Sequence, residues 1–312
     1  MNPPSLTDKF RFPLFRRKVK LSIIVNFHNM RREAERTLYS LTPEYQKGVS
    51  EKDYEVVVID NNSTQPLDPE KVKKFGCNFH YLYFKSETPS PCKAINEAAA
   101  AARGKFIMCC IDGARILSPG ILKKTLDMIS IYKEPFIYTI GMHLGDKLQT
   151  ISVSEGYNQL VEDELINNID WKKDGYSLFS ISCLAGSAKD GYFSQLNETN
   201  CFTISKKRYL QLGGYNEAFT SPGGGLCNLD IFNRLNTCTG LTSIMLLGEA
   251  SFHQFHGGII TNTPRTESPW KKMAEEYARI YHKKYELEYV KPIYYGEITE
   301  ESKKFHRFEI DS

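Results

Sequence analysis

Short apolar runs alternate with helical patterns along the first half of the chain. The runs are rich in β-branched and aromatic residues and predict buried strands at residues 21–25, 55–59, 79–84 and 106–111. Apolar residues between them recur at helical spacing. These patterns predict a helix ended by Pro43, one from about residue 91 to Gly104, and one in which Ser118 is the N-cap and Pro119 lies in the first turn. Such an order predicts right-handed βαβ units and a doubly wound, mostly parallel sheet.

The second half of the chain is less regular. It predicts strands at 136–140 and 242–247, helices at 157–169, 205–212 and 228–235, a glycine loop at 221–225, and a last helix beginning at Ser268. Leu160, Val161 and Trp270 are expected to face inward on their helices. The predicted organisation is an arm at 1–20, one domain at 21–262 with halves at 21–125 and 126–262, and a helix with a tail at 263–312.

Polar residues follow three of the predicted parallel strands. Ligands of doubly wound sheets bind beyond the carboxyl ends of the strands. This rule selects residues 26–29, 60–64 and 112–115 as the candidate site before any family is considered.

Composition excludes several classes of protein. The 312 residues are 41% hydrophobic and 25% charged, which is typical of a globular chain. Forty basic and 37 acidic residues give a net charge of only +3, so we expect no nucleic-acid partner. The eight cysteines form no CxxC pair, and reduced thiols are the favoured interpretation.

The sequence shows neither an apolar stretch of membrane-spanning length nor the apolar core of a signal peptide. A soluble cytoplasmic protein is therefore expected. Residues 9–20 (KFRFPLFRRKVK) interleave apolar and basic side chains. The favoured interpretation is an arm packed on the domain, and the alternative is peripheral contact with the inner face of the membrane.

Four segments resemble the A-type glycosyltransferases of family 2. They are IIVNFHNMRREAERTLYSL, EVVVIDNNST, KAINEAAAAARGKFIMCCIDGA and ETNCFTISKKRYLQLGGYNEAF, in the order that the family has them. The resemblance covers about residues 21–258 and implies a GT-A-like α/β fold. A Rossmann-like nucleotide-binding half with a mostly parallel central sheet would be fused to an acceptor-binding half.

The resemblance implies a nucleoside-diphosphate sugar as donor, with UDP as the favoured nucleotide. Asp60, or Asn61 through its amide, is expected at the base, although the family usually has two adjacent acids there. The full expected nucleotide-binding set is Asn26, His28, Asn29, Asp60, Asn61, Asn62, Ser63, Lys93, Asp112, Gly113 and Arg115.

The metal-binding DxD of the family is incomplete in this chain. It reads Asp112, Gly113, Ala114, so the second acid is missing. The resemblance offers His256 as a further ligand, and we expect Mn²⁺ or Mg²⁺ at Asp112 and His256. His253 is left open between a site role and a buried structural role. If the metal binds weakly, Arg115 or Lys93 is expected to neutralise the diphosphate.

The catalytic base is also displaced from the family pattern. Cys227 and Asn228 stand where the family commonly has glutamate and aspartate. An inverting transferase needs a carboxylate near the acceptor hydroxyl. Asp230 is the first choice, because it follows the flexible glycine run at 223–225, and Glu198 is the second.

The expected function is therefore inverting transfer of a sugar to a hydroxyl of a glycan or glycolipid, in surface-glycan or polysaccharide synthesis. The alternative is a degenerate transferase-like domain that binds a nucleotide sugar or a partner without catalysis, as Ala114 and Asn228 suggest. A sugar nucleotidyltransferase is disfavoured, because residues 26–35 contain no glycine. The sequence leaves the oligomeric state open.

Overall fold

The structure is a computed structural model that describes residues 19–305. Almost all of the predicted N-terminal arm lies outside this range, as does the end of the tail. The strands are β1 Leu21–Phe27, β2 Tyr54–Asn61, β3 Phe79–Phe84, β4 Phe106–Cys110, β5 Arg115–Leu117, β6 Pro135–Leu144, β7 Ser182–Leu184, β8 Cys201–Ser205, β9 Thr242–His253 and β10 Ile293–Gly296. The α-helices are α1 Arg31–Tyr39, α2 Pro69–Lys73, α3 Cys92–Ala101, α4 Ile121–Ile131, α5 Gln149–Ser152, α6 Gln159–Asn167, α7 Lys206–Gln211, α8 Cys227–Asn236 and α9 Trp270–Tyr281.

All ten strands form one sheet. Its main path runs β10-β9-β6-β8-β4-β1-β2-β3, with β5 paired to β9 and β7 paired to β6. The strands β1 to β4 pair in parallel, and so do β6, β9 and β10, whereas β8 is antiparallel to both of its neighbours. The predicted α/β class with a mostly parallel sheet is confirmed.

Apolar clusters cover both faces of this sheet. Alternate residues of β1 contribute to each, with Ile24 in one cluster and Ile23 and Val25 in the other. Burial on both faces explains why the parallel strands are continuous apolar runs in the sequence. Strands from both predicted halves of the domain share the two clusters, so the sheet is continuous across residue 125.

Several predicted boundaries were wrong. The strand predicted at 242–247 runs on to His253, because pairing with β5 and β6 buries its later polar residues. The helix after Ser118 has Gly120 as its N-cap, since the Ser118 hydroxyl donates to Glu249 instead. Leu160, Val161 and Trp270 are exposed rather than inward. The strands β5, β7 and β10 were not predicted.

The pairing of β6 with β9 contains a bulge. Tyr138 lies opposite Met245, but Ile140 lies opposite Ala250, so β9 holds three extra residues there. The Thr139 hydroxyl spans the bulge by contacting the carbonyl oxygens of Leu246 (3.1 Å) and Glu249 (2.5 Å). The register of β9 beyond the bulge is therefore set by this local geometry.

Among residues 19–305, no helix has both the length and the apolar character needed to cross a membrane.

Candidate active site

The loops after β1 and β2 are tied together by hydrogen bonds. The backbone N–H of Asn29 donates to the Ser63 hydroxyl (2.8 Å), and the Asn29 side-chain oxygen accepts from the N–H of Thr64 (2.8 Å). Asn29 and Asn62 both have positive φ, of 55° and 56°, a conformation that asparagine tolerates better than most residues. His28 contacts the carbonyl oxygen of Asn61 through Nδ1 (2.8 Å). The two loops thus form one rigid edge of the site.

Asp60 shapes this edge from inside. Its carboxylate is fully buried and accepts from the N–H groups of Ser63 (3.1 Å) and Leu67 (2.7 Å). Both oxygens therefore hold the chain's own loop. Asn61 is placed differently, because its amide nitrogen donates to the Ser90 carbonyl (3.3 Å) while its side-chain oxygen has no partner among the described residues.

A third loop, after β4, is joined to the end of β1. The Asn26 amide donates to the carbonyl oxygen of Ile111 (3.2 Å). Gly113 packs so closely on β1 that an added Cβ would lie 2.3 Å from the Phe27 ring. Only glycine fits there, which fixes the path of the chain next to Asp112.

Strand register brings Arg115 and His253 beside Asp112, and His256 follows three residues after the end of β9. Arg115 of β5 lies opposite His253 of β9, and His253 lies opposite His143 of β6. Residues directly opposite one another point to the same face of a sheet. The Asp112 carboxylate lies 3.1 Å from His253 Nε2, 3.7 Å from His256 Nε2 and 3.4 Å from Arg115 Nε.

Charge and burial set the protonation of this group. Burial alone would raise the pKa of the Asp112 carboxyl, but His256, His253 and Arg115 outweigh it and hold that pKa well below the usual range. Burial lowers the pKa of His253 to about 4, against the opposing pull of Asp112. Asp112 is therefore ionised and His253 neutral near pH 7.

Asp112, His253 and His256 can hold a divalent metal ion. Their ligand atoms all lie within 4.8 Å of one another. Two ligands at right angles around an octahedral ion, each about 2.1 Å from it, are about 3 Å apart. The 3.1 Å between Asp112 Oδ2 and His253 Nε2 fits that arrangement. Ala114 contributes nothing to it, because its side chain is fully buried in an apolar cluster.

Arg115 is the second source of positive charge. Its side chain is buried, and its Nε and one terminal nitrogen have no hydrogen-bond partner within residues 19–305. Buried guanidinium N–H groups without partners are costly, which makes Arg115 a candidate for binding an anion. Lys93, in contrast, is exposed in the first turn of α3.

Glu198 lies next to this group and belongs to the predicted second half of the domain, at 126–262. Its carboxylate accepts a hydrogen bond from the side-chain amide of Asn228 (2.8 Å). Asn228 stands where the family commonly has an acid, so the carboxylate of Glu198 lies next to that position. Burial raises the pKa of Glu198, while Asn228, Arg115 and Asn200 lower it and Asp112 raises it further. The pKa of Glu198 therefore responds to the charges of both Arg115 and Asp112.

Asp230 is engaged in a different contact. Its buried carboxylate accepts from Arg234 Nε (2.8 Å), one turn further along α8. Arg234 also donates to the carbonyl oxygens of Leu212 (3.2 Å) and Gly214 (2.8 Å). This ion pair anchors α8 to the preceding loop.

The segment after β9 is fixed by a buried acid. The N–H of Phe255 donates to Glu162 of α6 (2.6 Å), and Arg32 of α1 donates to the same carboxylate (3.2 Å). Burial raises the pKa of Glu162 to about 7, with Phe255 and Arg32 opposing the rise. The backbone that leads to His256 is thereby tied to α1 and α6.

Two side-chain amides beside the histidines, one buried and one half-buried, were not predicted from the sequence. Gln149 of α5 contacts the His253 ring (2.7 Å), and Asn262 contacts Gln149 (2.9 Å). Gln149 lies 104 residues from His253 and 113 residues from Asn262 in the sequence, so no local motif indicates these contacts. His253 itself carried one signal, its position three residues before His256.

Comparison with models of known protein families identifies the family of this chain. The family model described as glycosyl transferase family 2 matches residues 22–180, just over half of the chain. The chain belongs to this family, as the resemblance predicted. No curated protein sequence matched it.

Solved structures agree with this fold. TarS from S. aureus superposes with a TM-score of 0.50 at 16% identity, over 86% of this chain and 41% of that one. TarS residues 1–349 with UDP give 0.49 at 15% identity, over 75% and 60%, and the mannosyltransferase PcManGT from Pyrobaculum calidifontis gives 0.45 at 14%, over 85% and 65%. This chain therefore spans less than two thirds of each of these solved chains. The predicted GT-A-like fold is confirmed.

Proposed function

We propose that this chain transfers a sugar from a nucleoside-diphosphate sugar to an acceptor hydroxyl, with inversion. One observation supports this most strongly. Groups suited to a diphosphate, Asp112 with His256 and Arg115, lie at the carboxyl ends of the strands, within electrostatic reach of the carboxylate of Glu198. A transferase needs positive charge that stabilises the leaving group and a base that accepts the proton of the acceptor hydroxyl.

The donor nucleotide would bind along the loops after β1, β2 and β4. Asn61 is the best candidate for the base, because its side-chain oxygen has no partner within residues 19–305 and can accept an N–H such as that of uracil. Asp60 would act by holding the loop in shape. UDP remains the favoured nucleotide.

The donor's diphosphate would lie beside Asp112 and Arg115, which are themselves 3.4 Å apart. Asp112 and His256 would hold Mn²⁺ or Mg²⁺, which would supply positive charge for the diphosphate as it departs. The unpartnered nitrogens of Arg115 would bond phosphate oxygens directly. Lys93, being exposed, would contribute long-range attraction.

Glu198 is our first choice for the catalytic base, ahead of Asp230. The acceptor hydroxyl would give its proton to Glu198 while its oxygen bonds the anomeric carbon of the sugar. The bond from that carbon to the diphosphate would break at the opposite face, which inverts the configuration. Asn228 would position the carboxylate through their 2.8 Å hydrogen bond.

The acceptor would enter from the half of the domain at 126–262, which supplies Glu198 and Asn228, whereas the half at 21–125 supplies the nucleotide loops. A glycan or glycolipid in polysaccharide synthesis is the acceptor class that we favour.

A donor screen tests this function directly. Thermal shifts with UDP, GDP, ADP and their common sugars, each with Mn²⁺ or with a chelator, identify the nucleotide. Labelled donors that raise the melting temperature are then followed for transfer or slow hydrolysis, and Asp112→Asn is expected to lose most of both signals. Binding without any turnover would favour the degenerate, non-catalytic alternative instead, and no binding would refute both.

A further inference from the structure

We infer that two side-chain amides, the half-buried Asn262 and the buried Gln149, form a relay that positions His253 at the proposed metal site, with Nδ1 protonated and Nε2 directed at Asp112. As a ligand, His253 would replace the second acid that the chain lacks at Ala114. The inference rests on the proposed metal site and adds a third ligand with its positioning residues.

The relay begins at Asn262, whose orientation is fixed by backbone donors. Its side-chain oxygen accepts from the N–H groups of His256 (3.2 Å), Gly257 (3.0 Å) and Gly258 (2.9 Å). Three donors around one atom identify it as the oxygen. The other end of the amide must then be the NH₂ group, and it points at Gln149 (2.9 Å).

Gln149 is oriented from both ends. Its Oε1 accepts from Asn262, and its Nε2 donates to the carbonyl oxygens of His253 (3.2 Å) and Leu144 (3.4 Å). Its backbone N–H donates to His143 Nδ1 (3.1 Å), which fixes the start of α5. Reversing the amide would set oxygen against two carbonyls and nitrogen against a donor.

His253 has no freedom in which nitrogen carries the proton. Its Nδ1 lies 2.7 Å from Gln149 Oε1, an atom that can only accept, so Nδ1 must carry a hydrogen. Its Nε2 faces Asp112 Oδ2 at 3.1 Å. A divalent cation between these two atoms would bind both, because their 3.1 Å separation is that of neighbouring ligands around one ion. An outer hydrogen bond of this kind is the usual partner of a metal-binding histidine.

Position 114 cannot supply this ligand. The Ala114 side chain is fully buried in the apolar cluster on the other side of the loop, and its N–H and carbonyl are held by Asp112 and Gln254. The pairing of β5 with β9 instead delivers His253 to Asp112. Asn262 serves both histidines, since it also bonds the backbone of His256.

Mn²⁺ affinity of the full chain tests the relay. Gln149→Met removes the acceptor for His253, and we expect the Kd for Mn²⁺, measured by the electron paramagnetic resonance of free Mn²⁺, to rise about 10- to 100-fold. The matched control is Gln46→Met, since Gln46 is a buried glutamine that donates to the carbonyls of Ser40 and Ser118.

Each outcome of this comparison decides the inference. An unchanged Kd in a folded Gln149→Met protein would refute it, as would an equal loss in Gln46→Met. If Gln149→Met fails to fold, Asn262→Asp replaces it: aspartate keeps the oxygen that holds three N–H groups but turns a second oxygen, in place of the NH₂ donor, toward Gln149 Oε1. Because the added negative charge by itself favours a cation, a Kd that rises in this variant supports the relay, and an unchanged or lower Kd refutes it.

Nuclear magnetic resonance reads the tautomer without any assay of activity. In ¹⁵N-histidine-labelled metal-free protein, with His253→Ala used for assignment, His253 should show a protonated Nδ1, and ¹¹³Cd²⁺ should couple to its Nε2. A protonated Nε2 with a bare Nδ1, or coupling at His256 alone, would overturn the inference. Sugar transfer that survives chelation while Cd²⁺ does not bind would refute this inference and leave the proposed function intact. Coupling at His253 in a protein that transfers no sugar would do the reverse.

Discussion

Exchanging Glu198 for glutamine separates the two candidate bases most sharply. Glutamine has the same shape, and its oxygen can still accept the Asn228 amide that now lies 2.8 Å from the carboxylate. The change therefore removes the ability to take a proton and little else. The matched control variant is Asp230→Asn, the same carboxylate-to-amide change at a residue of α8.

The two variants should differ by orders of magnitude in turnover. Loss of a general base typically costs ~10²- to 10⁴-fold in rate, which is about 2.7 to 5.4 kcal/mol of barrier. Glu198→Gln should lose that much in kcat. Asp230→Asn should keep near-normal kcat and lose about 1 to 3 kcal/mol of stability, because it weakens the contact with Arg234, which still has two backbone carbonyls to bond.

The assay is single-turnover transfer from a labelled nucleotide sugar, with nucleotide affinity and melting temperature measured on the same samples. Unchanged affinity in Glu198→Gln would show that its site is intact. The base works only when ionised, and the pKa of Glu198 is raised by burial, so the rising limb of kcat with pH should lie above the ordinary glutamate value of 4.5. Near-normal kcat in Glu198→Gln together with loss in Asp230→Asn would refute the reasoning and reverse the roles.

Three further predictions concern residues around the site. Ala114→Asp should lower the melting temperature without tightening Mn²⁺ binding, because residue 114 faces the core; tighter binding would contradict this. Arg115→Met should weaken nucleotide binding in calorimetry by about 10- to 100-fold, the cost of a hydrogen bond to a charged group. The exposed Lys93→Met should change it only a few-fold, and equal losses would count against the assignment. Glu162, whose pKa is raised from 4.5 to about 7, holds a proton in the folded state that the unfolded chain releases. The free energy of unfolding, measured in urea, should therefore decrease by up to about 3 kcal/mol as the pH rises from 4.5 to 7. Glu162→Gln should remove most of this pH dependence.

The parallel half of the fold was predictable because its strands are buried on both faces. Leu21–Phe27 and Tyr54–Asn61 bury every residue, so each appears in the sequence as a continuous apolar run. The strand β5 has only three residues and includes Arg115, and β10 is partly exposed, so neither gives such a signal. Short edge strands are specified by their partners rather than by their own composition.

The position of the candidate site was likewise predictable, but the roles within it were not. Topology selected the loops at 26–29, 60–64 and 112–115, and the structure joins them. The sequence could not show that both carboxylate oxygens of Asp60 accept hydrogen bonds from its own loop, or that the Asn228 amide donates to Glu198. Gln149 and Asn262 meet only after folding, across 113 positions. Such contacts depend on tertiary geometry, which local spacing does not encode.

The bulge between β6 and β9 makes the length of one segment as important as the identity of any side chain. The register before it pairs Tyr138 with Met245 and the register after it pairs Ile140 with Ala250, an offset of three residues. Because side chains alternate along a strand, a one-residue shift of register beyond the bulge would turn His253 away from Asp112 and place Gln254 in its position opposite Arg115. A single-residue deletion within 246–249 that shifts the later part of β9 would therefore remove the histidine from the site. The site thus constrains the number of residues at 246–249, in addition to the local constraints on Gly248, which has a positive φ, and on the buried Glu249.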